Sequence, residues 1–198
     1  MTRSKSTRST LLLASLLLAV GTAQASTIEY KLDPTHTTVL ATWDHGGYSN
    51  PVANFGQVDG TLVYDADKVS ASKVEVTLPM TGLETFVPDL NEHLRSADFF
   101  EASKWPNATF KSTKVEKVGE NKLKVTGNLT IRDVTKPVVL DVKLNKSGEG
   151  RNGAPKIGFD ATTSFNRSEF GVAKFIPNVG DRVQIRISTE ATGEATAK

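Results

Sequence analysis

The sequence predicts an all-β protein: an antiparallel eight-stranded barrel with one short helical insert. Three observations lead there. Beyond residue 27 nearly every apolar stretch alternates with period two, the mark of a strand with one buried face. Turn residues interrupt these stretches at intervals of about ten residues, the spacing of strands in a barrel or sandwich. Only residues 88–100 leave that period for helical spacing. An antiparallel sheet closed on itself gives every strand one dry face and leaves no open edge, which favours the barrel over the sandwich.

The first 25 residues stand outside this pattern. Arg3, Lys5 and Arg8 precede an apolar run over 11–20, and Ala23-Gln24-Ala25 offers a small-x-small cleavage site. That is the anatomy of a secretory signal peptide, with an apolar run too short to span a bilayer. No later segment reaches spanning length. The expected division is therefore 1–25 signal peptide, removed on export; 26–190 barrel; 191–198 flexible tail. Export makes the periplasm the expected location. With no cysteine in 198 residues there is neither a disulfide framework nor a cysteine-borne lipid anchor, so the barrel must stand on its core.

Removing the signal peptide also changes the charge. Subtracting Arg3, Lys5 and Arg8 from 24 Lys+Arg leaves 21 against 22 Asp+Glu, a net of about −1. The basic pI belongs to the leader. The remaining charges are interspersed, so nucleic acid is not an expected partner.

The elements follow in chain order. Residues 28–33 and 36–44 read as strand segments broken at Pro34, the second with Val39, Ala41 and Trp43 on one face. His45-Gly46-Gly47-Tyr48-Ser49-Asn50-Pro51 is a loop by its Gly-Gly and Asn-Pro pairs. Residues 55–64 resume extended structure, and 73–78 alternate cleanly. Pro88 suits the opening of a helical turn. Leu90, Leu94 and Ala97 then recur at helical spacing, so a helix over 89–100 is expected to border one mouth of the barrel with Leu94 facing inward. Strands follow at 107–118, 123–131 and 138–144, with a break over 133–137. After the loop 147–155, Ile157, Phe159, Ala161, Thr163 and Phe165 share one face. Val183, Ile185 and Ile187 do so in the last strand.

Catalytic chemistry finds little to stand on. There is no Gly-x-Ser-x-Gly elbow, no His-Glu-x-x-His and no cysteine nucleophile, so no catalytic residue and no enzyme activity is expected. His36, His45 and His93 fall on a strand, a loop and the helix; were they to converge they would make a metal site, but hydrogen-bonding roles at loop bases are expected and a metal is not. Arg95 and Asp98 are spaced for an ion pair. Asp33 and His36 are spaced to fix a turn. The competing reading is an enzyme acting on a bound lipid or metabolite with His93, His45 or Asp98 as acid–base groups.

The aromatic residues divide in two. Phe99, Phe100, Trp105 and Phe110 cluster closely enough to pack the helix onto the barrel. Trp43, Phe55, Phe159, Phe165 and Phe170 fall on inward faces or strand ends. Ala41, Gly60, Gly127, Ala161 and Thr163 are small inward positions, and a barrel that keeps small residues inside can hold a small ligand; the alternative for Gly60 and Gly127 is a bend in a strongly coiled strand.

Several stretches taken together resemble a known family. They are Leu32-Asp33-Pro34-Thr35-His36-Thr37, His45-Gly46-Gly47-Tyr48-Ser49, and the block 89–100 with Trp105-Pro106 and Phe110. Gly127-Asn128-Leu129-Thr130-Ile131, Val134-Thr135-Lys136-Pro137 and Phe165-Asn166-Arg167-Ser168-Glu169-Phe170-Gly171 complete the set. In this order they resemble the YceI-like, polyisoprenoid-binding family over residues 30–190. The resemblance implies a lipocalin-like barrel holding a long isoprenoid or similar amphiphilic lipid, for carriage, storage or sequestration without chemistry. The expected ligand-binding residues are Trp43, His45, Phe55, Leu94, Phe159, Ala161, Phe165, Arg167 and Phe170. Family members often carry Lys-Arg where this chain has Asn166-Arg167, so a cationic role there rests on Arg167. No cofactor is expected beyond the bound lipid; a homodimer is left open.

Overall fold

The computed structural model describes residues 27–194. Its strands are β1 (Ile28–Leu32), β2 (Thr38–His45), β3 (Val52–Phe55), β4 (Asp59–Tyr64), β5 (Lys73–Pro79) and β6 (Leu83–Glu84). After the helix α1 (Pro88–Arg95) come β7 (Asn107–Lys117), β8 (Lys122–Ile131), β9 (Val134–Glu149), β10 (Pro155–Asn166) and β11 (Val179–Gly193). Eight of these close a ring in the order β1-β4-β5-β7-β8-β9-β10-β11, and β11 returns to β1 through Tyr30↔Gly193 and Leu32↔Ala191. Every neighbouring pair is antiparallel. The eight-stranded antiparallel barrel is what forms.

The other three strands extend the wall upward. β2 continues β1 along β11, and β3 and β6 follow it in the order β11-β2-β3-β6. Three long strands are thus each broken in two: β1/β2 at the Pro34 turn, β3/β4 near Gly56, and β5/β6 at the 3-10 turn Met80–Gly82. The single strand expected over 55–64 is one of these broken pairs. The Gly56 N–H donates to the Gly82 carbonyl at 2.8 Å. A Cβ on Gly82 would strike the Gly56 backbone, so the two breaks pass each other only because Gly82 carries no side chain.

β6 ends the upper row, and α1 with the turns after it fills the gap beside it. Leu94 packs with Ala53, Leu83, Phe99 and Val172 in an upper core, while a larger cluster around Tyr30, Phe110, Ile157 and Phe159 occupies the lower ring. Pro88 opens the helix, with Asp89 in its first turn and His93 and Arg95 in its last, as the helix dipole favours. It is shorter than the sequence suggests, ending at Arg95 instead of Phe100. Ser96 adopts extended backbone, and its hydroxyl donates to the His93 carbonyl at 2.7 Å. Ala97, expected on the apolar stripe, is exposed.

Two more boundaries move. The break expected over 133–137 is only the two-residue turn Arg132-Asp133, Arg132 taking φ 56, and Pro137 lies within β9 opposite Asn128. β11 runs three residues past the expected limit at 190, because Ala191, buried against Leu32 and Ile157, belongs to the seam that closes the ring. The signal-peptide segment 1–25 and residues 195–198 of the expected tail lie outside the described residues.

Candidate functional site

Strand alternation builds the site. The inward residues of the ring and of the upper wall line one cavity of about 1020 Å³. β8 alone supplies Leu123, Val125, Leu129 and Ile131. Eight residues at a rise of about 3.3 Å, tilted about 40°, make this a channel roughly 20 Å long. Its wall is overwhelmingly aliphatic and aromatic, broken by a few polar groups such as Thr37, Thr163, Asn178 and Thr189. Tyr48 and Phe175 belong both to the wall and to the exposed surface, so the cavity opens beside them and α1.

All nine residues expected to contact a ligand line this cavity. Trp43, Phe55, Leu94, Phe165 and Phe170 form its upper half. The Phe165 and Phe170 rings meet edge to face at 5.1 Å, and Phe170 is completely buried. Phe55 meets Phe100 in the same geometry at 5.9 Å. Ala161 sits midway, opposite Ile187 across the β10–β11 pair, and leaves its part of the channel open. Phe159 lies lower, 6.0 Å from the Tyr64 ring. Burial raises the Tyr64 phenol above its ordinary pKa of 10.0, with Tyr30 and Asp65 adding to the effect.

Two of the small positions are small for another reason. A Cβ on Gly127 would run into the Phe110 ring and the Lys111 carbonyl, and one on Gly60 into the Glu75 carbonyl. Gly127 gives Phe110 a place to lie flat on the sheet, and Gly60 lets two strands approach; neither creates lumen.

Arg167 is 7 % exposed, and each of its nitrogens donates to a backbone carbonyl. Nε reaches Gly180 at 2.9 Å, one terminal nitrogen Val172 at 2.7 Å and the other Val179 at 2.9 Å. Burial lowers its pKa, partly offset by the charge of Asp181. Asp181 itself accepts from the Ser168 amide and hydroxyl. Arg167 is thus first a clamp on the β10–β11 connection, and its cationic charge lies in the cavity wall without a carboxylate within 4 Å among the described residues.

The expected Arg95–Asp98 pair does not form. Arg95 turns back to the carbonyls of Met80, Thr81 and Leu83, with Glu92 at 3.4 Å, and holds α1 onto β6. Asp98 instead meets His93 at 3.5 Å and Lys174 at 3.3 Å. The Lys174 hydrogen bond, with smaller help from the Lys174 charge and from His93, holds its carboxyl below the ordinary carboxylate range. The His93 ring stands edge-on to Phe99 at 5.0 Å and to Phe175 at 5.9 Å. The turn after α1 and the loop after Phe170 are thereby latched together at the mouth.

The three histidines do not converge. His45 and His93 line the cavity, but His36 lies outside on the β1–β2 turn, where its Nδ1 is 2.7 Å from Asp33. Thr35 donates its amide and hydroxyl to the same carboxylate, and these bonds with His36 keep Asp33 far below its ordinary pKa. Asp33 and His36 fix a turn, as their spacing predicts. With Glu190 they form an outer group of metal-ligand types, already engaged with Thr35 and Lys156.

Other residues that build the mouth gave no sequence signal of their role. Asn91, buried on α1, accepts from the Thr85 amide and hydroxyl at 2.7 Å and donates to Glu84 at 2.9 Å. Arg132, in the β8–β9 turn, bonds Glu101 at 3.0 Å and the carbonyls of Phe99 and Gly171. Its placement opposite the helix is a tertiary fact that no local pattern carries.

A family model for the YceI-like domain matches residues 30–191. "Protein YceI" of Salmonella arizonae is 39% identical over 180 residues, which are 90% of this chain and 93% of that protein. The crystal structure of BcnA from Burkholderia cenocepacia superposes with TM-score 0.75 at 25% identity, covering 81% of this chain and 99% of BcnA. A polyisoprenoid binding domain from Saccharophagus degradans superposes with TM-score 0.67 at 12% identity, covering 84% and 99% of the two chains.

Proposed function

The chain belongs to the YceI-like family, and from that premise we propose that it holds a long-chain isoprenoid or similar amphiphilic lipid inside its barrel. One observation carries the reading: a cavity of about 1020 Å³, lined mostly by apolar side chains and open beside Tyr48 and Phe175. Its volume is at the top of the ~300–1,000 Å³ range of small-molecule sites. A cavity of this length admits an extended tail and asks little of the head group. Removing about 500 Å² of aliphatic surface from water is worth roughly 12 kcal/mol gross at ~25 cal/mol/Å². After several kcal/mol for immobilisation, micromolar to nanomolar affinity remains within reach. The Saccharophagus neighbour is described as polyisoprenoid binding; at its low identity it supports the shape of the container more than the identity of the cargo.

In this reading the protein acts after export, in the periplasm, by carrying, storing or sequestering lipid and making no bond. His45 and His93 are the titratable imidazoles on the wall, and the carboxylate beside His93 is committed to Lys174. That arrangement suits a latch better than an acid–base couple. The test is native mass spectrometry of protein isolated from its own periplasm. A stoichiometric lipid adduct, released on denaturation with its mass unchanged by the protein, is the expected result. Protein that emerges empty and takes up no polyprenol from detergent overturns the reading.

A further inference from the structure

The two ends of the barrel are dressed differently. At the open end three loops, 46–51 (GGYSNP), 85–87 (TFV) and 175–178 (FIPN), contain no charged residue, and they stand beside the charged turn Arg132-Asp133 and the helix α1. The loops at the other end, 65–68 (DADK), 118–121 (VGEN) and 150–154 (GRNGA), all contain charge. Pairing of Val179 with His45 sets two of the uncharged loops side by side. The third belongs to the same end by register. Asn54 faces Leu40 on one side and Glu84 on the other, and from Glu84 the chain continues in the direction in which β2 rises to His45.

These loops push large apolar side chains into water. Tyr48 is 94 % exposed, Phe86 76 % and Phe175 46 %, with Val87 and Ile176 exposed beside them. Phe86 and Phe175 hold left-handed backbone, φ 64 and 66, a conformation bulky residues rarely adopt. The Phe86 amide donates to the Glu84 carboxylate, which fixes the backbone from which the exposed ring projects. An apolar collar of this kind on a soluble surface marks an interaction site.

We propose that the three loops dock the barrel mouth onto the head-group layer of a zwitterionic bilayer, rings inserted, so that a tail passes between membrane and cavity without crossing water. This rests on the lipid-holding reading above. Continuity points to a membrane as the occupant: Tyr48 and Phe175 lie on the outer surface and on the cavity wall at once, so apolar surface runs unbroken from the rim into the channel. The rings stand on loops that carry no charge of their own, and Lys174 beside Phe175 is paired with Asp98, which suits a zwitterionic surface.

The test is flotation of the protein with phosphatidylcholine vesicles, at low and high salt, beside loading of a fluorescent polyprenol from detergent. Binding insensitive to salt is expected, since no ion pair is made. Phe86→Ser/Val87→Ser, which lies outside the cavity wall, should bind vesicles about tenfold more weakly through lost apolar burial, yet load from detergent like the parent. Tyr48→Ser should weaken vesicle binding as a second, independent variant. A parent that loads from detergent but does not float overturns the docking proposal and leaves the lipid-holding reading intact. Flotation that depends on these side chains in a protein that never loads polyprenol sustains the docking face and removes its cargo. Flotation unchanged in both variants places docking elsewhere and overturns the proposal. So does a vesicle-free dimer that Phe86→Ser/Val87→Ser dissolves, because the collar then belongs to a second copy.

Discussion

Arg167 and Ala161 show how one wall can carry opposite demands. Arg167 spends its nitrogens on Gly180, Val172 and Val179, so Arg167→Met strands three carbonyls in a buried place. At about 1–3 kcal/mol for each group left unpaired, partly relieved by rearrangement, a loss of roughly 3–5 kcal/mol is expected in chemical denaturation. Ala161 faces empty channel. Ala161→Trp should therefore fold with less than the ~1–3 kcal/mol cost of overpacking a filled core, yet fail to hold polyprenol because the ring blocks the tail. A strongly destabilised Ala161→Trp would mean that this level of the barrel is packed. Ala161 was legible in the sequence, since period-two alternation states which residues face inward. The clamp of Arg167 was not, because its carbonyl partners lie 5 to 13 residues away, at Val172 in the connection and at Val179 and Gly180 where β11 begins, and only the folded chain brings them together.

Among the elements, the helix shows best where sequence reasoning stops. Pro88 and the spacing of Leu90 and Leu94 announce it, and Leu94 does face the cavity. Its end was missed because Ser96 caps it from inside an otherwise helical pattern. Leu94 also belongs to the upper core, so a polar residue there should unfold the mouth as well as weaken binding. What joins α1 to the opposite loop is the carboxylate of Asp98, shared by His93 and Lys174. Its pKa in the folded state is depressed below the ordinary 3.8. The latch's contribution is thus present above that value and is lost as pH falls through the lower, folded one. At neutral pH Asp98→Asn should remove the latch and speed amide exchange across 172–176 by about two- to threefold, the scale of a solvent-exposed pair. In the parent, the same acceleration should appear only in acid below pH 3.8. Equal exchange in both proteins at neutral pH would assign the closure of these loops to Phe99 and Phe175 alone.

For the whole molecule, the barrel, its strand number and the break at Pro34 followed from alternation and turn residues, and the pattern permitted a lumen, whereas the breaks near Gly56 and at Met80–Gly82 left no mark in the sequence. Gly82 is unremarkable in sequence, and only its meeting with the Gly56 backbone makes a glycine necessary there. The closing seam has a consequence for the order of folding. Tyr30 pairs with Gly193 and Leu32 with Ala191, so the ring shuts only when the first strand finds the last. Contacts that span almost the whole chain raise contact order, which places folding among the slower, millisecond-to-second barrels. A chain still emerging from the ribosome has no β11, so it can form hairpins such as β7–β8 and β8–β9 but no closed container. Ending the chain after Ser188 should leave β1 unpaired on that side and give broad, non-cooperative unfolding with the β7–β9 meander last to exchange. A sharp transition in that truncated chain would show that the barrel closes without its seam. With the seam present, the interior comes into being in a single late step, and the container is sealed along its side at the moment its last strand arrives.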